Sequence, residues 1–494
     1  MHFIDIAIFV FYMVAMLGVG FYFMRKNANA DDYYVGGRSM GPLHVGLSVV
    51  ATDVGGGFSI GLGGLGFTMG LSGSWMLFTG LIGAWLAAAV LIPKVSSLAK
   101  KHRFLTLPQL YGHFFDRKTA LAAGVISAIG YLGFTSSQIL AGAKLAAASF
   151  EGLNLTHALI IMGVIAVVYT VMGGIKAVIY TDTVQWIILM AGLIFIGIPL
   201  GYDAIGGLPA IRGTLGPEML ELNNISWKQF FNWSITIIPI WFVGMTLYQR
   251  IYACKGPKEA RRAWFAAGLF EWPIMAFMGV ILGLFSRVAF EQGLLAPLGF
   301  EPGGTMDSEM GLPAFLRTIL PVGLMGLMMS AYFSAIMSTA DSCLMACSGN
   351  ILTDILGKKH DDGEGADPKT LDFALLEKQN KSNIRVGQII TLAIGVVAIL
   401  IATMMEEVLD LMLYSYAFMV SGLFVPILGG LYWKHSTPNA AFWSMLSGGT
   451  CTLALTLSGH EQLAGLDANL FGILTSLIVF VAISYSDRKM LSHI

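Results

Sequence analysis

LHVGLSVVATDVGGGFSIGLGGLGFTM, from Leu43 to Met69, is long enough to cross a bilayer, since about 20 apolar residues suffice. It carries Asp53 near its middle and seven glycines after it. A carboxylate at bilayer depth costs several kcal/mol unless it is paired or lines a wet cavity. Gly55, Gly56 and Gly57 are poor helix formers, at ~1 kcal/mol each relative to alanine. A helix is therefore expected to break just after Asp53. Broken backbone inside a membrane is tolerated where its freed N–H and C=O groups meet protein, water or an ion. The glycines alone also fit a small-residue contact between helices. Asp53 favours a binding site built on a discontinuous helix.

The rest of the chain sets the context. Of 494 residues, 56% are hydrophobic and 12% charged, and mean hydropathy is +0.72. Soluble domains usually carry about 25% charged residues, so this is a polytopic membrane protein embedded in a lipid bilayer. A net charge of −1 implies no nucleic-acid partner. Met1 to Met24 has an acidic Asp5 and no basic stretch before its apolar run, which reads as a retained first span. Cys254, Cys343, Cys347 and Cys451 follow neither a disulfide nor a zinc spacing and read as packing residues. No Walker or HExxH motif occurs, which argues against an enzyme.

Thirteen apolar runs of spanning length follow in order. They are Ile4–Met24, Leu43–Met69, Ser72–Pro93, Ala120–Leu145, His157–Gly173, Asp182–Tyr202 and Phe230–Tyr248, then Trp264–Phe285, Val322–Cys347, Val386–Met404, Leu409–Trp433, Ala441–Gly459 and Leu470–Tyr485. Most lysines and arginines, Arg250 among them, fall in the loops after odd-numbered runs. The positive-inside rule puts those loops in the cytoplasm, the N-terminus outside and the C-terminus inside. The polar connection Gly357 to Asn383 reads as a flexible cytoplasmic linker. Ala204–Lys228 and Glu291–Asp307 read as outer loops with room for short helices. Phe230–Tyr248 contains Pro239 and Gly244 and is expected to be irregular. It lies five runs after the broken Asp53 run, so the two point in opposite directions. Paired broken helices of that kind mark inverted-repeat carriers.

Ser334 to Ser348, SAIMSTADSCLMACS, carries a second cluster. Ser338, Asp341 and Ser342 share a helix face, and Thr339 is adjacent. An alkali cation takes oxygen ligands from hydroxyls, carboxylates and freed carbonyls. Serines alone would suit back-bonding and helix contacts; Asp341 among them favours an ion site. Asp182, at the start of its run, reads either as an interfacial partner of Lys176 or as an inner cation ligand. Glu271, in GLFEWPIM, lies about two turns into its run, where it can snorkel, pair or be protonated. Trp241, Tyr248, Tyr414 and Tyr416 lie in or beside spans expected to face a pocket, and Trp241 is the best placed to touch solute.

These stretches resemble the sodium/solute symporter family. DDYYVGGRSMGP (Asp31–Pro42), ATDVGGG (Ala51–Gly57), YTVMGGIKAVIYTDTVQ (Tyr169–Gln185), YQR (Tyr248–Arg250) and MSTADS (Met337–Ser342) occur in the family's order. The resemblance implies an all-α LeuT-like fold, a five-plus-five inverted repeat with one extra helix before it and two after. The whole chain, 1–494, would be one domain: 4–24, repeats 43–202 and 230–433, then 441–485. It implies a main sodium site of Ala51, Val54 and Ala335 carbonyls with the Ser338 and Thr339 hydroxyls. Asp182, Ser338, Asp341 and Ser342 match a second sodium site, with Asp341 where a two-sodium member has serine. Candidate solute contacts are Asp53, Gly55, Gly56, Gly57, Trp241, Tyr248, Gln249 and Tyr414. ATDVGGG resembles the choline-type ATWVGGG, whereas Asp53 matches proline-type members. The expected function is sodium-driven import of a small organic solute (an amino acid such as proline, a choline-like cation or a monocarboxylate) across the inner plasma membrane, by a monomer. A proton-coupled or uncoupled carrier and a transporter-like sensor are the alternatives.

Overall fold

The computed structural model describes residues 2–26, 35–53, 55–173, 175–357 and 373–491. The fold is almost wholly helical; among the described residues one short hairpin, Gln462–Leu463 with Leu466–Asp467, is the only sheet. The first part of the chain gives α1 (Phe3–Lys26), α2 (Pro42–Asp53), α3 (Gly55–Met69), α4 (Trp75–Leu86), α5 (Arg117–Ser149), α6 (Leu155–Gly173) and α7 (Ile175–Gly192). The middle holds α8 (Trp227–Val243), α9 (Met245–Ala253), α10 (Pro257–Leu269), α11 (Ala276–Glu291), α12 (Ser308–Ile319) and α13 (Leu324–Gly349). The last part is α14 (Phe373–Ala402), α15 (Val408–Tyr432), α16 (Pro438–Leu457) and α17 (Ala468–Leu491).

Eight helical stretches among the described residues are long and apolar enough to cross a membrane, and α8 with α9 adds a ninth as a span bent by 43°. The apolar parts of α1 and α6, Phe3–Val19 and Leu155–Val168, are shorter. The sequence expectation of thirteen rested on apolar runs that the backbone here splits, as at α2 and α3, or dilutes with hydroxyls, as in α13. The expected disruption of Phe230–Tyr248 falls at Gly244, between α8 and α9, and not at Pro239, which α8 accommodates. Glycine at the break leaves the next amides without partners, and one of them is recovered by a side chain: the Thr246 N–H donates to Tyr131 Oη at 3.0 Å. The expected linker lies partly outside the described residues, at 358–372, and its end, 373–383, is already helical. The outer loops hold short helices at Gly207–Thr214 and Pro217–Leu220.

Two groups of helices meet around the break after Asp53. In one, α2 packs on α10, α3 on α11 and α12, and α4 on α8 and α10. In the other, α13 packs on α5, α6 and α14, and α14 on α5 and α6. α7 bridges them, touching both α2 and α13. Residues facing outward are large and apolar at helical spacing, such as Ile160, Ile161, Val164 and Val168 on α6 and Ile389, Leu392, Val396 and Leu400 on α14. Water would penalise such faces and lipid does not. α13 shows the reverse pattern. Every residue from Met328 to Gly349 is buried, so its serines, Thr339 and Asp341 have only protein or an internal site to contact.

The ends of α5, α12 and α15 are tied together by charge. Lys144 on α5 is buried and bridges Asp307 Oδ2 at 2.6 Å and Glu309 Oε2 at 2.7 Å. Glu309 in turn accepts the Val408 and Leu409 N–H groups at 2.9 and 3.0 Å. A carboxylate on the first amides of α15 matches the positive end of that helix.

Candidate functional site

The break between α2 and α3 lies against α13. Gly55 has φ +40°, in the region that favours glycine, and a Cβ there would sit 2.5 Å from Thr339 Oγ1. Both facts make glycine necessary for the approach. Thr339 Oγ1 is 3.1 Å from Ala51 O and 3.2 Å from Ala335 O. Three oxygens expected at the main sodium site thus converge: two carbonyls and one hydroxyl. Val54 lies outside the described residues. Ser338, one step round α13, donates to Asp182 Oδ1.

Asp182 is the centre of a polar network that sequence reading anticipated only in part. It is buried within α7, and Lys176 lies outside the described side chains. Its partner is Arg250, with Nη2 at 3.3 Å from Asp182 Oδ2, and Ser48 donates to the same oxygen. Arg250, expected in a cytoplasmic loop, is instead fully buried in α9. The loop assignment failed because the apolar run seemed to end at Tyr248, whereas the helix continues to Ala253. Its guanidinium fork matches five acceptors: Ser48 Oγ at 3.0 Å, Ser342 Oγ at 3.1 Å, the Thr246 carbonyl at 3.2 Å, Thr52 Oγ1 and Asp182. A buried guanidinium needs this degree of satisfaction. Asp341 accepts from Thr170 through Oδ1, while its Oδ2 is buried without a partner among the described residues. The four residues matching a second sodium site are therefore neighbours, but Asp182 has its countercharge from Arg250.

The solute candidates divide. Asp53 ends α2 and is buried, and Gly56 and Gly57 open α3. Gln249 is fully buried, and neither side-chain polar atom has a partner among the described residues. Trp241 packs into α4 and α10: a Cβ on Gly83 would meet its ring at 2.3 Å, and Trp264 lies edge-on at 6.4 Å. Proline two residues earlier had suggested a ring free for solute; the groove left by Gly83 holds it against protein. Tyr248 donates to the Phe242 carbonyl at 2.7 Å, and Tyr414 to Glu461 Oε2 at 2.7 Å near the hairpin. Those bonds hold both hydroxyls away from the break. Tyr416 is buried edge-on against Phe134 at 5.0 Å.

Ser48, Thr52, Thr170, Tyr131 and Arg250 were not foreseen as site residues. Each is a polar side chain inside an apolar helix, a signal the sequence does carry; what it lacks is their mutual proximity.

A family model for the sodium:solute symporter family matches residues 33–448. The osmoregulated proline transporter OpuE of Bacillus subtilis is 26% identical over 490 residues, covering 97% of this chain and 94% of that protein. The sodium/proline symporter of Escherichia coli is 26% identical, covering 89% and 85%. The sodium/pantothenate symporter of the same organism is 24% identical, covering 96% and 94%. Among solved structures, a Na+-coupled sialic acid symporter in its substrate-bound outward-open state superposes with a TM-score of 0.77 at 21% identity, over 98% of each chain. The transporter Mhp1 in a closed, ligand-bound form superposes with a TM-score of 0.56 at 15% identity, over 94% and 95%. These two share its fold, and the match along most of its length makes this chain a member of the sodium:solute symporter family.

Proposed function

We propose that this protein imports a small organic solute by symport with sodium, using alternating access about the α2/α3 break. The observation that carries the reading is the convergence of Ala51 O, Ala335 O and Thr339 Oγ1 beside Gly55. Freed carbonyls with a hydroxyl form a hard-oxygen set suited to an alkali cation. Ser338 completes the set when it turns from Asp182. Sodium there ties the broken helix to α13, which orders the solute pocket; by linkage, solute then tightens sodium. One charge moving inward at 100 mV releases ~2.3 kcal/mol, to which the sodium gradient adds.

The proline transporters among the relatives, and the acidic Asp53, favour an amino-acid-like solute. On this reading the helices group into thirteen spans, with α2/α3 and α8/α9 leading two inverted halves, the N-terminus outside and the C-terminus cytoplasmic in the plasma membrane. A second sodium is held by Asp341, whose buried Oδ2 has no partner among the described residues. The test is uptake into proteoliposomes across a sodium series at fixed pH. Uptake that rises and saturates with sodium supports symport; transport unchanged without sodium overturns it.

A further inference from the structure

Lys258, Arg261 and Arg262, in the first two turns of α10, line a cleft of about 400 Å3 together with Pro93, Pro257 and Phe265. Among the described residues no carboxylate lines it. Basic residues gather at cytoplasmic helix ends in any membrane protein, so their charge alone carries little. The way this cleft is built carries more. After α4 the chain widens to a π turn at Ala87–Leu91, and the Ile92 N–H returns to Ala87 O. The next residue, Pro93, has no N–H to give, which leaves Ala88 O short of a helical donor. Arg261 supplies one, its Nε donating to Ala88 O at 3.2 Å. That bond fixes the guanidinium at the cleft and leaves both Nη groups for another acceptor. Neither Lys258, Arg261 nor Arg262 has an ion-pair partner among the described residues. Glu259 turns back to the start of α10, where its Oε2 would lie 3.3 Å from a Cβ on Gly256. Lys94, on the facing helix, is engaged elsewhere: its Nζ donates to Leu431 O at 2.9 Å and sits 3.7 Å from the Tyr432 ring centre.

The cleft opens onto an apolar strip. Phe265 and Leu269 follow Arg261 on one face of α10, about 12 Å of helix at 1.5 Å per residue. Leu269 is exposed, and so are Trp85, Leu86 and Val90 on the neighbouring α4 and π turn. Trp85 is seated by Gly268, where a Cβ would lie 2.8 Å from the indole, and its N–H donates to the Phe265 carbonyl at 3.2 Å. A ligand that satisfies the cleft and the strip together is anionic at one end and apolar at the other. Inorganic phosphate would meet the cations and leave the strip uncovered. A zwitterionic lipid would bring its own ammonium against three cations. Guanidinium forks match phosphate oxygens in two directions at once.

We propose that this cleft binds the headgroup of an anionic phospholipid, with the phosphate held by Lys258, Arg261 and Arg262 and an acyl chain laid along Trp85, Phe265 and Leu269. The proposal goes beyond the symport reading and does not depend on it. In the topology proposed above, this end of α10 meets the cytoplasmic leaflet, where anionic lipids set a negative surface potential.

Trp85 supplies the readout. The full chain is placed in phosphatidylcholine bilayers containing a small fraction of phosphatidylglycerol or phosphatidylcholine with brominated acyl chains, which quench nearby tryptophans. Subtracting the signal of Trp85→Phe, made in each background, isolates quenching at the cleft. Brominated phosphatidylglycerol should bind there roughly tenfold more tightly than brominated phosphatidylcholine, and the preference should shrink as salt rises. Lys258→Gln/Arg262→Gln changes two exposed side chains and should bring the preference close to one, with the melting temperature in phosphatidylcholine unchanged. Arg261→Gln should lower it as well. Lys100→Gln/Lys101→Gln, whose side chains line a separate basic cleft, should leave it intact. Equal quenching by the two lipids in the wild type overturns the proposal. So does a preference that survives in folded Lys258→Gln/Arg262→Gln, or one that falls equally in Lys100→Gln/Lys101→Gln, which would reduce it to diffuse surface charge. Displacement of brominated phosphatidylglycerol by excess inorganic phosphate also overturns it, because the site would then take a soluble anion.

Discussion

The two sides of the α2/α3 break handle charge in opposite ways. Towards α7, α9 and α13, Asp182 is met by Arg250 and two serine hydroxyls, and the guanidinium is satisfied by five acceptors. Towards α4, Glu271 is buried with its carboxylate in the space that Gly80 leaves open, and Asp53 ends α2, also buried. The first arrangement has its charges paired within the protein. The second holds two buried acids with no ion pair among the described residues. The difference teaches that burial and formal charge do not by themselves mark a binding site; the informative quantity is what remains unpartnered.

The comparison is broken most severely on the satisfied side. Arg250→Ala leaves Asp182 buried and uncompensated. Removing one partner of a buried pair costs about 3–5 kcal/mol, so the variant should show a large drop in melting temperature in detergent, and no uptake. Asp182→Asn, which keeps the hydrogen bonds and removes the charge, should lose less stability. Equal stability of Arg250→Ala and wild type would make the network ornamental.

On the unsatisfied side, Asp53→Asn should leave melting temperature close to that of wild type while abolishing most uptake. A neutral amide lacks the charge that a cationic group needs in a low-dielectric cavity. Normal uptake with normal sodium dependence would make Asp53 structural. The pair of variants separates the two regions: one fails by unfolding, the other by not binding.

Between the two regions lies the proposed sodium set. Thr339→Ala removes a hard oxygen next to Ala51 O, and Ser338→Ala removes the neighbouring one. Each hydrogen bond or ligand contact to a charged group is worth about 1.5–3 kcal/mol, so half-saturating sodium should rise roughly tenfold or more, with a smaller change in maximal rate. Unchanged sodium activation in both would move the main site elsewhere.

Much of this was legible in the sequence because membrane interiors leave polar residues conspicuous. Asp53 among glycines marked the break, and Ser338, Thr339 and Asp341 marked the α13 face, each by being expensive where it stands. Arg250 was misread because its charge fits a cytoplasmic loop as well as a core, and hydropathy ends the run at Tyr248 two residues before it. Trp241 was misplaced because a proline predicts a disturbed helix but not which way a ring points; Gly83, 158 positions earlier, decides that. Glu271 stood out as a costly residue without a purpose, since the space for its carboxylate is left by Gly80 on α4, a contact no spacing rule predicts.

The smallest expected effect belongs to Asp341, which stands between the two kinds of region. Like Asp182 it is a buried carboxylate with a hydroxyl donor, here Thr170 on α6, and it lies close enough to feel the Asp182 charge. Unlike Asp182 it has no guanidinium, and its Oδ2 is bare. Because Arg250 already balances Asp182, a cation drawn to this corner is held chiefly by Asp341, with the Ser342 hydroxyl, and does not bridge two free carboxylates. Asp341→Ser restores the serine of the two-sodium member and removes the charge. It should weaken this second ion, lower the sodium Hill coefficient towards one, and leave uptake measurable, because Thr339, Ala51 and Ala335 are untouched. The reversal potential of solute-coupled current should move with it, from two sodium ions per solute towards one. Arg250 makes the outcome decisive: if the guanidinium neutralised the whole corner, Asp341 would behave as a second scaffold acid. Wild type would then already show a ratio of one, and Asp341→Ser would change melting temperature but not the sodium response.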